Sequence, residues 1–331
     1  MASIVVSPTT FVLTGGLMKS KKIRSIALLG AAFATVGAGV AVASDGEKSH
    51  GPKRHAVTSR TEQNLLGAMH GEAFANAKYL AFAEVAKGVG TPSVSALFKR
   101  TARVEVRQHF AEEAKLAGIV GTNAQDLRDA INGESYETTT MYPSYAAQAA
   151  AQGNSTAAAQ FTEIGKDEAT HRDWFQAALR SLTGKSKAPA GPASQPAKVS
   201  TTGPQATGIT LTNLGNAMHG ESFAYAKYML YARHARETGH PDVARLFERT
   251  AKVELTQHFR EEANLAGLAG ATAANLGNAV SGESYEAQTM YPQFAREAQA
   301  AGDRSASELF TEIAGDEAKH SRAFTKALNR L

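Results

Sequence analysis

The chain contains no cysteine, which excludes disulfides, thiolate metal sites, iron–sulfur clusters and a lipidated N-terminal cysteine. No stretch alternates apolar and polar residues as a strand does. Long apolar runs are confined to residues 25–42, which excludes a polytopic membrane protein. At 43% hydrophobic and 20% charged residues, a disordered chain is excluded as well. A basic surface for nucleic acid is also missing, despite a pI near 9.1. Residues 1–56 hold seven Lys/Arg against Asp45 and Glu47, and the stretch 183–209 adds Lys185, Lys187 and Lys198. These two segments carry +8 of a total of +4, so the remainder stands at −4 and offers no nucleic-acid footprint.

The basic patch lies at the front. Lys19, Lys21, Lys22 and Arg24 follow Met18, residues 25–42 are apolar, and Ala41, Val42 and Ala43 precede Ser44. This order predicts a leader and signal peptide over 1–43, with Met18 as the true start and cleavage after Ala43. The product would be exported, periplasmic or extracellular, with no stable membrane association after cleavage. The alternative is an uncleaved anchor, because about eighteen apolar residues just span a bilayer. Residues 44–60 form a polar leader.

Beyond it the chain repeats. Met69, His70, Gly71 and Glu72 match Met218, His219, Gly220 and Glu221, and residues 133–137 match 282–286, at a constant offset of 149 residues. The stretches 61–182 and 210–331 are therefore tandem copies, identical at roughly half of their positions. Between them, 183–209 is rich in Pro, Gly, Ser, Thr, Ala and Lys and reads as a flexible linker. Each copy shows four stretches of helical periodicity, in copy one near 61–88, 93–117, 124–152 and 155–182. The predicted fold class is all-α, as two tandem four-helix bundles.

The predicted inward faces carry charge. Leu65, Met69, Glu72, Ala75, Tyr79, Phe82 and Ala86 form one stripe. Phe161, Ile164, Glu168, His171 and Phe175 form another; Glu105 and His109 mark the second helix, and Glu134 with nearby Glu137 the third. An unpaired buried carboxylate costs several kcal/mol or takes up a proton. The stripes contain almost no Lys or Arg, which leaves metal ions as the compensating charge. A Glu from each of two helices with a Glu/His pair from each of the others is the donor set of bundle di-iron and di-manganese sites, and hard carboxylates with a few imidazoles suit Fe or Mn. All seven candidates recur as Glu221, Glu254, His258, Glu283, Glu286, Glu317 and His320. Chance retention of all seven has a probability of roughly one in a hundred.

At these residues the sequence resembles the rubrerythrins of the ferritin-like superfamily. The most specific piece is Gly133 to Glu137 followed by Met141, Tyr142 and Pro143, then Glu168 and His171, all recurring in copy two. The resemblance implies two iron ions per bundle, manganese being the other candidate. Glu105 and Glu168 would bridge, and Glu72, Glu134, Glu137 and His171 would be terminal ligands. It further implies that an iron can shift between Glu137 and the second-helix His, and that Tyr79 and Tyr142, with Tyr228 and Tyr291 in copy two, donate hydrogen bonds to ligand carboxylates. The implied activity is reduction of hydrogen peroxide with electrons from an external donor protein or small reductant. A ferroxidase or iron-handling role with Fe(II) as substrate, and a metal-stabilised structural module without turnover, are the competing readings. Two departures stand out. The family's second helix usually carries Glu-x-x-His, whereas here Glu105 and His109 are four apart; either a π-bulge turns His109 inward or Gln108 faces the site. A rubredoxin module, which needs four cysteines, has no counterpart in this chain.

Chain length raises a last question. Glu105 and Glu134 lie 29 residues apart, yet the second and third helices of a ferritin-like bundle run the same way. A return of roughly 33 Å would be needed, and seven extended residues reach at most about 25 Å. Exchange of helices between the repeats, giving an intramolecular pseudo-dimer, removes the return; the unswapped alternative needs the second helix to stop near Glu113. His70 is read as a surface or outlying residue, and His50, His55, His234 and His240 as solvated.

Overall fold

The computed structural model describes residues 57–184 and 186–331, so the expected signal peptide, His50 and His55 lie outside the described residues. In the first repeat, helix α1 (Ser59–Gly88) is followed by α2 (Pro92–Val104), which runs through a π-helical turn (Glu105–His109) into α3 (Phe110–Ala117). Next, α4 (Asn123–Tyr136) continues through a second π-turn (Glu137–Met141) into α5 (Tyr142–Ala151), and α6 (Ser155–Ser181) closes the repeat. The second repeat copies this order as α7 (Gly208–Glu237), α8 (Pro241–Val253), α9 (Phe259–Ala266), α10 (Thr272–Tyr285), α11 (Tyr291–Ala301) and α12 (Arg304–Leu328), with π-turns at Glu254–His258 and Glu286–Met290. Among the described residues there is no strand, and no helix is long and apolar enough to cross a membrane.

Local chemistry explains the breaks. Thr122 caps α4 in a reciprocal capping box with Gln125, satisfying two orphan backbone donors. Within each π-turn one residue is added to a helical turn, and the N–H that follows donates five residues back: Phe110 to Glu105 O, Tyr142 to Glu137 O. In the third helix the turn ends two residues before Pro143, which has no N–H to give and whose ring disfavours a regular α-turn before it.

The repeats are not the bundles. Helix α1 with α2 and α3 packs against α10, α11 and α12, while α7 with α8 and α9 packs against α4, α5 and α6. One core therefore joins Tyr79, Phe82 and Phe98 to Leu276 and Phe324, and its counterpart joins Leu127 and Phe175 to Tyr228 and Phe247. Each bundle takes half its helices from each repeat, which is the helix exchange between 61–182 and 210–331 that the short connection after the second helix calls for. The five residues between Ala117 and Asn123 are too few to lead the chain back along its own bundle, so α4 runs on into the neighbouring one.

The bundles meet along α1 and α7. There His70 stacks on Phe223 with ring centroids 4.0 Å apart, and Phe74 on His219 at 4.1 Å. His70 is thus an interface residue, not a surface one. Burial first, then Lys227, pulls its pKa down to about 4, and burial does the same to His219. The connecting segment is also held, by hydrogen bonds to the second helix of the second repeat. Ala197 N donates to Thr256 O (2.9 Å), Ser200 N to Asn264 Oδ1 (2.7 Å) and Gln205 N to Leu265 O (2.8 Å). The expectation of a freely flexible linker, drawn from composition, does not anticipate these bonds.

Candidate di-metal centres

The stripes named from the sequence converge midway along each bundle. In the first, Glu72 and Glu105 are buried beside Glu283 and Glu317 of the other repeat, with His109 and His320 on either side. His109 Nδ1 lies 3.0 Å from Glu105 Oε2, 2.8 Å from Glu317 Oε1 and 3.6 Å from Glu72 Oε2. His320 Nδ1 lies 3.3 Å from Glu105 Oε1, 3.0 Å from Glu317 Oε2 and 3.3 Å from Glu283 Oε2. Glu105 and Glu317 thus turn one oxygen to each imidazole, which makes two four-atom donor sets sharing two carboxylates.

The second centre repeats the plan. His258 Nδ1 is 2.9 Å from Glu168 Oε1, 2.9 Å from Glu254 Oε2 and 3.6 Å from Glu221 Oε2. His171 Nδ1 is 2.7 Å from Glu168 Oε2, 3.2 Å from Glu254 Oε1 and 3.8 Å from Glu134 Oε2.

Of the two second-helix arrangements left open by the sequence, the structure adopts the first: His109 is buried and Gln108 exposed. The π-turn is the cause, since the added residue brings a side chain and its fourth successor to the same side of the helix.

A fit to metal ions is supported by the donor atoms themselves. Both oxygens of Glu105 and of Glu254, Glu168 Oε1, Glu317 Oε1, and the Nδ1 atoms of His109 and His258 are buried without a hydrogen bond. These imidazoles sit at contact distance from carboxylate oxygens yet are not aligned for hydrogen bonding, as donors aimed at a shared central point are. Crowding also raises carboxylate pKa values, Glu221 and Glu283 to about 8, through burial first and then Glu168 and Glu317 respectively. Burial lowers His171, but Glu254 and Glu168 more than offset it and lift it to about 10. Two divalent cations would relieve this electrostatic load, and an oxygen and imidazole donor set without thiolate suits Fe or Mn.

Glu137 and Glu286 stand apart. Neither belongs to a four-atom set; the Glu286 carboxylate turns toward Gly71, and that of Glu137 toward Gly220. A side chain on either glycine would meet that carboxylate at 3.7 Å from its Cβ.

The four tyrosines do touch carboxylates, with partners crossing the repeats. Tyr79 donates to Glu283, Tyr228 to Glu134 (2.7 Å), Tyr142 to Glu221 and Tyr291 to Glu72. Burial drives each phenol well above its ordinary pKa, so all four stay protonated donors.

Sequence reasoning missed Glu113 and Glu262. Both are fully buried, and each lies within hydrogen-bond distance of a tyrosine hydroxyl, Glu113 Oε1 at 2.9 Å from Tyr291 Oη and Glu262 Oε1 at 3.0 Å from Tyr142 Oη. Their spacing of four after His109 and His258, retained in both repeats, was the available signal. His234, read as solvated, instead pairs with Asp126 at 2.9 Å.

Comparison with known proteins agrees with this geometry. The rubrerythrin family model matches residues 103–179 and again 212–328, more than half of the chain. The chain belongs to the rubrerythrin family. Among its relatives, nigerythrin of Nitratidesulfovibrio vulgaris is 39% identical over 139 residues, covering 38% of this chain and 69% of the relative. A rubrerythrin of Porphyromonas gingivalis is 38% identical over 134 residues, 37% of this chain and 66% of the relative. Symerythrin of Cyanophora paradoxa is 28% identical over 153 residues, 38% of this chain and 85% of the relative. The matches thus span about two thirds of the first two relatives, and about one repeat's length of this chain. No solved structure matches.

Proposed function

We propose that this rubrerythrin-family chain is an exported peroxide-reducing protein with a di-iron centre in each bundle, supplied with electrons by an external donor. The observation that carries the reading is the pair of four-atom sets sharing two carboxylates, present twice with the same geometry. Glu105 and Glu317 in one centre, and Glu168 and Glu254 in the other, would bridge the ions; Glu72, His109, Glu283 and His320, and Glu221, His258, Glu134 and His171, would hold one side each. Bound iron would supply the two electrons that, with two protons, convert hydrogen peroxide to two waters.

The chain's own residues supply position and protons. The four tyrosines fix their carboxylates in orientation by donating from the side away from the imidazoles. Glu113, kept protonated by burial and by the nearby charge of Glu72, stores a proton on its carboxyl beside Tyr291 Oη. Glu262 does the same beside Tyr142. Glu137 and Glu286, held next to the centres and outside the four-atom sets, are carboxylates available for a change of ligand, which favours redox turnover over fixed structural metal.

Anaerobic purification followed by metal counting, then addition of peroxide with a reductant, tests the reading. Four retained irons and catalytic loss of peroxide are expected; continuous uptake of added Fe(II) would point to iron handling, and inert metal to a structural role. For export, the native N-terminus is expected at Ser44, and an intact Met18 terminus in membranes would contradict it.

A further inference from the structure

The two centres share their donor residues but differ in what covers them. At the offset of 149 residues Trp174 corresponds to Ala323. The half-buried indole of Trp174 lies 6.0 Å from the His171 ring and packs against the core formed around Leu127, Phe175 and Phe247. His171 is accordingly 3% exposed, whereas His320, with only a methyl group at the matching place, is 15% exposed.

A second difference lies on the opposite flank. The connecting segment crosses the π-turn of the closed centre: Ser194 Oγ pairs with Thr256 Oγ1 (2.7 Å), Gln195 N donates to Gln257 Oε1 (3.4 Å) and Ala197 N to Thr256 O. The matching residues of the other π-turn, Arg107 and Gln108, are exposed.

We propose that Trp174 and residues 194–205 close the centre containing His171 and His258 into a metal-retaining site, leaving the centre containing His109 and His320 as the open one, where ions exchange and external reactants arrive. This inference rests on reading both clusters as metal centres. Ligand exchange needs an incoming water or chelator to reach the imidazole edge. At Trp174 that approach must displace a large, half-buried side chain packed against the core, whereas Ala323 leaves the edge of His320 accessible.

The test uses the full chain loaded anaerobically with Fe(II) and mixed with a chromogenic ferrous chelator. Iron is expected to leave in two phases of equal amplitude, differing in rate by about tenfold or more. Trp174 is the sole tryptophan, so in the unaltered chain its fluorescence is expected to change with the slow phase only. Trp174→Ala is expected to accelerate the slow phase toward the fast one, and Ala323→Trp to slow the fast one. If Trp174→Ala does not fold, Trp174→Phe and the fluorescence assignment still decide. Release of four irons in one phase, or a fluorescence change that follows the fast phase, overturns this inference alone. A chain that binds no metal overturns the reading beneath it.

Discussion

Tyr291 Oη lies within hydrogen-bond reach of both Glu72 and Glu113, 219 and 178 residues away along the chain. A phenol has one proton to donate, so two ionised carboxylates cannot both be satisfied by it. Glu113, raised well above the usual carboxylate range by burial and then by Glu72, is the one that carries a proton and donates it back to Oη.

Glu113→Gln keeps a donor in that place and is expected to change stability by less than about 1 kcal/mol, whereas Tyr291→Phe strands both carboxyl groups and costs about 1–3 kcal/mol. Urea denaturation of the metal-loaded variants measures both. Loss of a protonated-carboxyl band in the infrared spectrum of Glu113→Gln checks the assignment of the proton.

The metal-free protein is expected to lose stability as pH rises. Glu221 and Glu283 titrate at about 8 in the fold against an ordinary value of 4.5. Between those values the folded chain keeps protons that the unfolded chain has released, which favours unfolding as pH increases. His171, held at about 10, and His320, at about 12, act in the same direction above pH 6.5. Glu168 opposes them: although burial raises it, His258 and His171 hold it well below the usual range, so its contribution is lost only on acidification. Metal binding displaces ligand protons and strengthens as pH rises. Melting curves across pH 5–9 are therefore expected to show a widening gap between loaded and metal-free protein; parallel curves would contradict this.

Gly267 ends α9 with φ +66°, and a Cβ there would stand 2.3 Å from Pro204 N in the connecting segment. Gly90, at φ +77°, has nothing within 4 Å. Gly90→Ala is expected to cost about 1 kcal/mol from backbone strain, and Gly267→Ala clearly more because the segment must also be displaced. Equal costs by urea denaturation would show that the segment is not seated there.

Much of this arrangement was legible in the sequence because charges on inward stripes cannot be ignored energetically. Glu72, Glu105, Glu134 and Glu168 sit among Leu65, Phe98, Leu127 and Phe161, and each finds the buried cluster that its neighbours predict. Helix exchange was legible as a length problem between Ala117 and Asn123. Glu113 and Glu262 were not recognised, because the residue added in each π-turn throws off spacing counted from Glu105 and Glu254, and only a count that starts from His109 and His258 reaches them. Nor could composition reveal the seat of residues 188–205, since their attachment uses mainly the segment's backbone groups, met by polar groups and two arginines, Arg249 and Arg260, of a helix 50 to 70 positions further on. His70 looked peripheral on its own helix, and its partner Phe223 belongs to the other bundle.

The central claim is that each centre is built from both repeats, and paired variants test it directly. Glu168→Ala alone is expected to leave about half of the metal, because only the centre shared with Glu221, Glu254 and His258 loses a bridge. Adding Glu254→Ala, from the other repeat, strikes the same centre and is expected to leave that half in place. Adding Glu105→Ala, from the same repeat as Glu168, strikes the second centre and is expected to remove nearly all metal. Metal counts on the two folded double variants decide the matter: half retained in the first and almost none in the second is the predicted result, and the reverse would contradict the exchanged architecture.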